Sequence, residues 1–296
     1  MEERKTAHDF DQDLLILFDA YVHGVIDRRS FLDQASRFAV GGVTAAMLLD
    51  QLSPKFVENQ VVRRDDARIG AEYVEYDSPN GSGKMRGYLV RPNGASGKLP
   101  GILVIHENRG LNPHIEDIAR RLALANFVAF APDALFPLGG YPGDEDKARE
   151  LFPKLDQSKT REDFVAAYQF LKARPETTGK IGAVGFCYGG GMVNYLATRL
   201  PDLSAGAAFY GSAPNLEDVP KIKAPLMIQS AEVDERINAG WPAYEQALKA
   251  ANVRYERYLY PGTQHGFNND TTPRYDAAAA KLAWERTLAF FNTNLR

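Results

Sequence analysis

The stretch KIGAVGFCYGGGM, residues 180–192, contains the chain's single cysteine between two glycines. An apolar run leads into Cys187, and such a run is typical of a β-strand that is buried on both faces. The glycine-rich segment that follows favours a helix start packed closely against that strand. We therefore predict a sharp strand-to-helix turn at Cys187, with Gly185 and Gly189 as the small residues that this turn requires.

Strand and helix patterns alternate on both sides of this turn. GILVIHE (101–107) and FVAFAPD (127–133) are apolar strand patterns, and HIEDIARRLALA (114–125) between them has helical spacing. The alternation continues to a closing helix at 275–295, and two alternating stretches within 71–100 flank an Asn-Gly turn, which indicates a hairpin. This order predicts an α/β fold with a mostly parallel central sheet covered by helices on both faces.

Residues 1–65 have a different character. Apolar residues at helical spacing within 8–26 predict an amphipathic helix, so residues 1–65 are interpreted as an N-terminal helical extension and 66–296 as the main domain. The segment 28–49 is similar to a twin-arginine export signal. Acidic residues flank the arginines and no cleavage site follows, which favours a cytoplasmic protein over the periplasmic alternative. The extension could serve as a lid or as a homodimer interface.

Composition excludes several classes of partner. The chain has 35 basic and 38 acidic residues, a net charge of −3, so neither nucleic acid nor an anionic membrane is predicted as a partner. One cysteine cannot form an intrachain disulfide. GDEDKARE (143–150) has calcium-like acidic spacing but lacks the turn glycine and terminal Glu of an EF-hand loop. We interpret it as a solvated charge run, and we predict no metal and no cofactor.

A nucleophile on such a turn requires a base and an acid that orients the base. In the fold that carries this turn, the chain order is nucleophile, acid, histidine. Of the five histidines only His265 follows Cys187, and it comes just after the strand pattern VRYERYLY. Asp234 follows the strand pattern APLMIQS, which the sequence ends at Ser230, and Glu232 is its one serious rival.

Other interpretations of the lone cysteine stay open. Most isolated cysteines are small buried residues. The thiol could also be oxidisable, which would make the protein a non-catalytic or redox-sensing protein on a hydrolase scaffold. Such a sensor has no need for His265 in register, and the agreement of spacing, chain order and strand-end placement favours the catalytic hypothesis.

The segment HENRG provides a second part of the site. His106-Glu107 begins like a zinc-binding H-E-x-x-H motif, but the second histidine is replaced by Gly110, so zinc is rejected. The loop after this strand supplies an oxyanion-hole donor in the predicted fold. We therefore expect the backbone N–H groups of Asn108 and Tyr188 to bind the oxyanion, and Glu107 to contact the thiol.

Together, GFCYGG, HENRG, APD, FYG, the Asp234 loop and PGTQHGF resemble the dienelactone hydrolases (carboxymethylenebutenolidases), over residues 70–294. The resemblance implies the α/β-hydrolase fold and a triad of Cys187, His265 and Asp234. It also implies hydrolysis of carboxylic esters or lactones through an acyl-enzyme intermediate. The N-terminal extension is similar to that of a longer bacterial subgroup.

The resemblance implies further site residues. Glu107 matches the family's glutamate beside the thiol, and Tyr210 matches a substrate-site tyrosine. The family grips a substrate carboxylate with two arginines; Arg149 is a match for one, but Asn269 stands where the other is expected, with Arg274 nearby as a substitute. Because a neutral amide cannot replace a bidentate charged clamp, the substrate stays open beyond an ester or lactone.

Overall fold

The computed structural model describes residues 5–56 and 59–296. Among these residues, the strands are β1 (Ile69–Ser78), β2 (Gly83–Pro92), β3 (Leu99–Ile105), β4 (Val128–Pro132), β5 (Thr177–Phe186), β6 (Ala205–Phe209), β7 (Leu226–Val233) and β8 (Tyr255–Gln264). The α-helices are α1 (Gln12–Val22), α2 (Arg28–Ala35), α3 (Ala45–Leu52), α4 (Pro113–Leu124), α5 (Glu145–Leu151), α6 (Gln157–Ala173), α7 (Tyr188–Arg199), α8 (Glu235–Asn238), α9 (Trp241–Ala250) and α10 (Ala277–Leu295).

The eight strands form one sheet in the order β1-β2-β4-β3-β5-β6-β7-β8. The predicted hairpin is confirmed, because β1 pairs antiparallel with β2, and β2 pairs antiparallel with β4. The remaining neighbours pair in parallel. The carboxyl ends of β3, β5, β7 and β8 therefore lie at one edge of the sheet, where α/β proteins bind their ligands.

Helices cover both faces of this sheet, as predicted. Alternate residues of β3 belong to different buried clusters: Ile102 and Val104 pack with α4 and α10, whereas Leu103 and Ile105 pack with α6 and α7. Because successive side chains of a strand point to opposite faces, this division confirms a strand buried on both sides. The mostly parallel α/β fold follows from these buried runs.

The turn after β5 requires its glycines. A Cβ on Gly185 would lie 2.1 Å from the carbonyl oxygen of Gly189, and a Cβ on Gly189 would lie 2.2 Å from that of Ile105. These approaches place the start of α7 directly against β3 and β5. Cys187 between them has φ 55° and ψ −114°, a conformation that non-glycine residues rarely adopt. The predicted sharp turn is confirmed.

The N-terminal helices α1, α2 and α3 share a small apolar core of their own. Leu15, Phe18, Phe31 and Leu52 are buried within it. Side chains of aspartate or threonine accept hydrogen bonds from the first-turn N–H groups of all three helices, which satisfies donors that would otherwise lack partners. The predicted helical character of this segment is confirmed.

Residues after α3 connect this helical group to the main sheet. The N–H of Lys55 donates to the carbonyl of Thr271 at 2.8 Å. The N–H of Val62 donates to Asp117 at 2.8 Å, and Arg120 donates to the carbonyl of Val62 at 2.7 Å. These contacts hold the connecting segment against α4 and against the loop between β8 and α10.

The arginine pair near residue 28 lies in a capped helix. Asp27 accepts a hydrogen bond from the N–H of Ser30 at 2.7 Å, and Arg28 forms an ion pair with Asp146 at 2.6 Å. Throughout residues 5–56 and 59–296, none of the helices has the combined length and apolar character that a bilayer span would require. The cellular location stays a prediction.

Two local predictions are wrong. Strand β7 does not end at Ser230 but continues to Val233, so Asp234 follows the strand directly. The reason is continued pairing with β8, in which Val233 is opposite Gln264.

The second wrong prediction is the solvated charge run at 143–150. This segment is not uniformly solvated, because Glu145 turns inward and accepts a hydrogen bond from Tyr141 at 2.9 Å.

Replacement of Gly189 by alanine tests the close approach at the turn. We expect Gly189→Ala to lower the free energy of unfolding by about 3 kcal/mol, the upper range for overpacking, because the added methyl meets backbone that cannot move aside. The matched control is Gly240→Ala, where φ is −80° and the nearest atom to a Cβ is 3.7 Å away. Urea denaturation measures both, and equal stability of the two variants would contradict the packing account.

Candidate active site

The thiol of Cys187 is the centre of the site. Cys187 precedes the first residue of α7 at the carboxyl end of β5. Its Sγ lies 3.4 Å from Nε2 of His23, the residue that ends α1. A side chain of the N-terminal segment therefore contacts the predicted nucleophile directly.

His265 and Asp234 meet beside this thiol. Nδ1 of His265 lies 2.6 Å from Oδ2 of Asp234, and both side chains are buried. Nε2 of His265, Nε2 of His23 and Sγ of Cys187 all lie within 4.8 Å of one another. Within the described residues, Nε2 of His265 has no hydrogen-bond partner. The structure thus brings the three predicted residues together and leaves one imidazole nitrogen free next to the sulfur.

Glu232, the rival for the acidic position, points elsewhere. Its Oε2 accepts a hydrogen bond from the backbone N–H of Gly262 at 2.8 Å, and the residue is exposed. Asp234 instead begins α8 as its N-cap, accepting from the N–H of Ile237 at 3.4 Å with its other oxygen. That second contact fixes the carboxylate in front of His265.

The two imidazoles change the acidity of the thiol. Burial would raise the pKa of Cys187, but the positive charges of His265 and His23 outweigh burial and lower the pKa to about 5. Burial would conversely lower the pKa of His265, whereas the thiolate and Asp234 raise it, to about 10. Although burial opposes it, Cys187 and Asp19 also raise the pKa of His23, so the three groups together favour a thiolate beside an imidazolium at neutral pH.

Glu107 and Asn269 form a pair at the edge of the site. Nδ2 of Asn269 donates to Oε2 of Glu107 at 3.0 Å. The carbonyl oxygen of the same amide accepts from both the N–H and the hydroxyl of Thr271, at 3.1 Å and 2.6 Å. Asn269, which stands where an arginine is expected, thus holds Glu107 in place. Among the described residues, the hydrogen bonds of Glu107 do not include the expected one to the thiol of Cys187.

The two expected oxyanion donors border the thiol. Tyr188 is the first residue of α7, so its N–H is one of the first-turn donors that lack an intrahelical acceptor. Asn108 follows β3 and lines the same cavity as Cys187. Its side chain donates to the carbonyl of Val22 at 3.1 Å, which fixes the loop. The positive end of α7 also favours a thiolate.

The three remaining predicted residues lie around this centre. Tyr210 is buried with φ 37°, and its ring centroid lies 4.9 Å from that of His265. Arg274 lines the cavity, where it donates to Asp19 at 3.0 Å. Arg149 stacks over the ring of Tyr21 at 4.4 Å from its centroid. Tyr210 and Arg274 thus lie close to Cys187 and His265, whereas Arg149 packs against Tyr21 of α1.

The sequence interpretation missed every contribution of α1. Val22, His23, Phe18 and Tyr21 line the cavity that contains the thiol. The one local signal was the spacing of Asp19 and His23, an acid and a histidine one helical turn apart. That spacing is common on helix surfaces and does not identify a site.

The cavity itself is small and partly charged. It has a volume of about 60 Å³ and extends from the thiol to Arg109 and Glu145. Nε of Arg109 lies 3.8 Å from a carboxylate oxygen of Glu145. Burial raises the pKa of Glu145 to about 7, although Arg109 and Tyr141 oppose this rise. The far wall of the cavity can therefore carry either a neutral or a charged carboxyl near neutral pH.

The nitrogen atoms of His106 are used in local structure. Nε2 accepts from the N–H of Ala134 at 3.1 Å, and Nδ1 lies 2.5 Å from the carbonyl of Glu107. This agrees with the rejection of a zinc-binding H-E-x-x-H motif.

Cys187, His23 and His265 are the described residues whose donor atoms could together hold a transition metal.

Comparison with known proteins gives two family matches. A sequence profile of the dienelactone hydrolase family matches residues 85–295. A second profile, described as YqhI-like, matches residues 1–40. The first match covers all the predicted catalytic residues of the main domain, and the second covers α1 and α2.

Individual relatives agree with the first profile. A "Putative carboxymethylenebutenolidase" of Synechocystis is 33% identical over 236 residues, covering 74% of this chain and 95% of that protein. The "Putative hydrolase fragment YghX" of Escherichia coli is 54% identical over 114 residues, covering 38% of this chain and 97% of the fragment.

Solved structures show the same fold. The crystal structure of a "Putative Dienelactone Hydrolase" from Klebsiella pneumoniae has a TM-score of 0.66 and 27% identity, and the match covers 75% of this chain and 99% of that one. An esterase from Pseudomonas putida, at 19% identity and a TM-score of 0.63 over 90% of this chain and 96% of its own, supports the fold alone. The chain belongs to the dienelactone hydrolase family and is a carboxylic ester hydrolase with the α/β-hydrolase fold.

Proposed function

We propose that this protein hydrolyses small carboxylic esters or lactones through a thioester on Cys187, with His265 as general base and Asp234 as the acid that orients it. The observation that carries the proposal is the 2.6 Å contact between His265 and Asp234, with the free Nε2 of the same imidazole beside the thiol. This is the arrangement of nucleophile, base and orienting acid that acyl transfer requires.

The reaction proceeds in two halves. The thiolate attacks the carbonyl carbon, a C–S bond forms, and the carbonyl electron pair moves to oxygen, where the N–H groups of Asn108 and Tyr188 bind it. The alcohol leaves with a proton from an imidazolium. His265 then takes a proton from water, the hydroxide attacks the thioester, and the acid leaves as the thiolate is restored.

The space beside the thiol supports a small acyl group. The cavity that contains Cys187 has a volume of about 60 Å³, and a second cavity of about 630 Å³, which also borders His265 and Arg274, provides space for the rest of the substrate. Because Asn269 is neutral and already pairs with Glu107, it is not available as a charged clamp for a substrate carboxylate. We therefore propose short, uncharged esters or lactones over dienelactone as the preferred substrates.

We also propose that residues 1–65 are a distinct unit that covers the site of the main domain, 66–296. The separate apolar core of the N-terminal helices supports this division, as does the profile match at 1–40. The homodimer through these helices stays a prediction. Light scattering tests it, because a monomer has a mass of 32.8 kDa and a dimer twice that value.

Replacement of the nucleophile tests the proposed chemistry. We expect Cys187→Ala to abolish turnover of short p-nitrophenyl esters and of simple lactones, a loss of at least about 1000-fold, because no thioester can form. Cys187→Ser is expected to keep only a small fraction of the activity, because the site favours a thiolate. Full turnover by Cys187→Ala would disprove the thioester mechanism, and no turnover by the unaltered protein would favour the redox-sensing alternative.

The ionisation of the thiol gives a pH test. Because the pKa of Cys187 is lowered to about 5, alkylation by iodoacetamide should stay fast as the pH falls from 8 and should decline only near pH 5. His265 lowers the pKa of the thiol more than His23 does. His265→Ala removes this effect, so we expect the decline in alkylation to move to higher pH. His8→Ala, which changes an exposed histidine, is the control. A decline of the unaltered protein near pH 8.5, the value of a free cysteine, would contradict the ion pair.

A further inference from the structure

We infer that the N-terminal segment supplies a second catalytic histidine: His23, oriented by Asp19, takes the proton of the Cys187 thiol and delivers it to the leaving alcohol. This inference rests on the proposed function and changes one step of it, because the proton of the thiol goes to His23 and not to His265. His265 keeps its role in activating water.

Two Asp–His pairs converge on one sulfur. Nδ1 of His23 lies 2.8 Å from the backbone oxygen of Asp19 and 3.2 Å from its Oδ2, while Nε2 lies 3.4 Å from Sγ of Cys187. His265 repeats the arrangement, with Nδ1 at 2.6 Å from Asp234 and Nε2 near the thiol. In both pairs the acceptors at Nδ1 fix the tautomer and leave Nε2 to exchange a proton.

The two imidazoles differ in their partners. Nε2 of His23 is in hydrogen-bond contact with the sulfur, so a proton can pass directly between these two atoms. Nε2 of His265 is buried within 4.8 Å of the sulfur and interacts with the thiolate without a well-aligned hydrogen bond among the described residues. A buried nitrogen in this position is suited to hold the attacking water beside the thioester carbon. The contacts therefore divide the two proton transfers between two residues.

The proton transfers balance over one turnover. At neutral pH the sulfur is a thiolate, and the proton that it has given up forms the N–H bond on Nε2 of His23, which leaves Nε2 of His265 unprotonated. When the C–O bond to the leaving group breaks, that proton passes to the leaving oxygen and the alcohol departs. Water then gives one proton to His265 and its hydroxide to the acyl carbon. The C–S bond breaks to restore the thiolate, and the proton on His265 passes by way of the sulfur to Nε2 of His23.

The end of α1 is pinned against the main domain. The carboxylate of Asp19 accepts from Arg274 at 3.0 Å. The carbonyl of Val22 accepts from Arg109 at 2.7 Å and from the side chain of Asn108 at 3.1 Å. These contacts join the N-terminal segment to the same loop that carries an expected oxyanion donor. A catalytic side chain needs such support to hold its geometry.

One further charge faces the ring of His23. Besides Asp19, Cys187 and His265, the guanidinium of Arg236 lies with Nη2 at 3.1 Å from Nε2. It can donate to this nitrogen only when the ring is unprotonated. Arg236 is exposed on the short helix α8, so its side chain can move into solvent when the ring takes up the thiol proton.

Leaving-group dependence tests the role of His23. A p-nitrophenolate leaves without a proton, whereas an alkoxide does not. We expect His23→Ala to lower kcat/KM by about 100-fold for ethyl acetate, in the range for loss of a general acid, and by no more than about 5-fold for p-nitrophenyl acetate. Added imidazole should restore at least about 10-fold of the loss with ethyl acetate, because it can enter the space left by the ring.

Two variants keep this test independent of packing. His23→Gln retains a polar side chain of similar length but cannot transfer a proton, and it should show the same dependence on leaving group. His8→Ala changes an exposed histidine of the same N-terminal segment and should leave both esters unaffected. Equal losses on both esters for His23→Ala and His23→Gln, or no loss, would overturn the catalytic role. Faster hydrolysis by either variant would instead show that His23 obstructs the site.

A second measurement separates this inference from the proposed function. If His23 accepts the thiol proton, His265→Ala should still release a stoichiometric burst of p-nitrophenol and then stall as the thioester. Absence of the burst in His265→Ala, with a thioester formed by the unaltered protein, overturns the inference alone. Absence of any thioester on Cys187 in the unaltered protein, with turnover continuing, overturns the proposed function.

Discussion

The backbone conformation at Cys187 is the constraint on which the rest of the site depends. The backbone at φ 55° and ψ −114° is strained. It is held by two hydrogen bonds, because the N–H of Cys187 donates to the carbonyl of Phe209 at 3.0 Å and the carbonyl of Cys187 accepts from the N–H of Gly191 at 3.2 Å. The strain places the sulfur above the carboxyl edge of the sheet and at the start of α7. Asn108, Asp234 and His265 then reach the sulfur because each follows a strand that ends at this same edge.

The charge balance around the sulfur is the second consequence of this position. A buried thiolate would be unstable alone, because burial disfavours the charged form. Here it is surrounded by two imidazoles, each fixed by an aspartate. One pair belongs to the main domain and the other to the N-terminal helices, so the packing of α1 lowers the pKa of the thiol as well as shaping the cavity. This links residues 164 positions apart in the chain.

The sequence predicted those parts of the site that local pattern controls. The run before Cys187, the flanking glycines and the placement of His265 after a strand each have a physical cause within a few residues of the chain. The contact of Asn269 with Glu107, the inward turn of Glu145 and the approach of His23 arise only when distant segments pack together. A four-residue spacing of Asp19 and His23 exists on many helix surfaces, and nothing local indicates which cavity such a pair will face.

The identity of the nucleophile is the claim on which the account depends most directly. Acid quenching of the unaltered protein during turnover of p-nitrophenyl acetate, followed by peptide mass spectrometry, traps and locates the acyl group. The account predicts an acetyl thioester on the peptide that contains Cys187. Continued turnover with that cysteine unmodified, or with the acetyl group on another side chain, would contradict it.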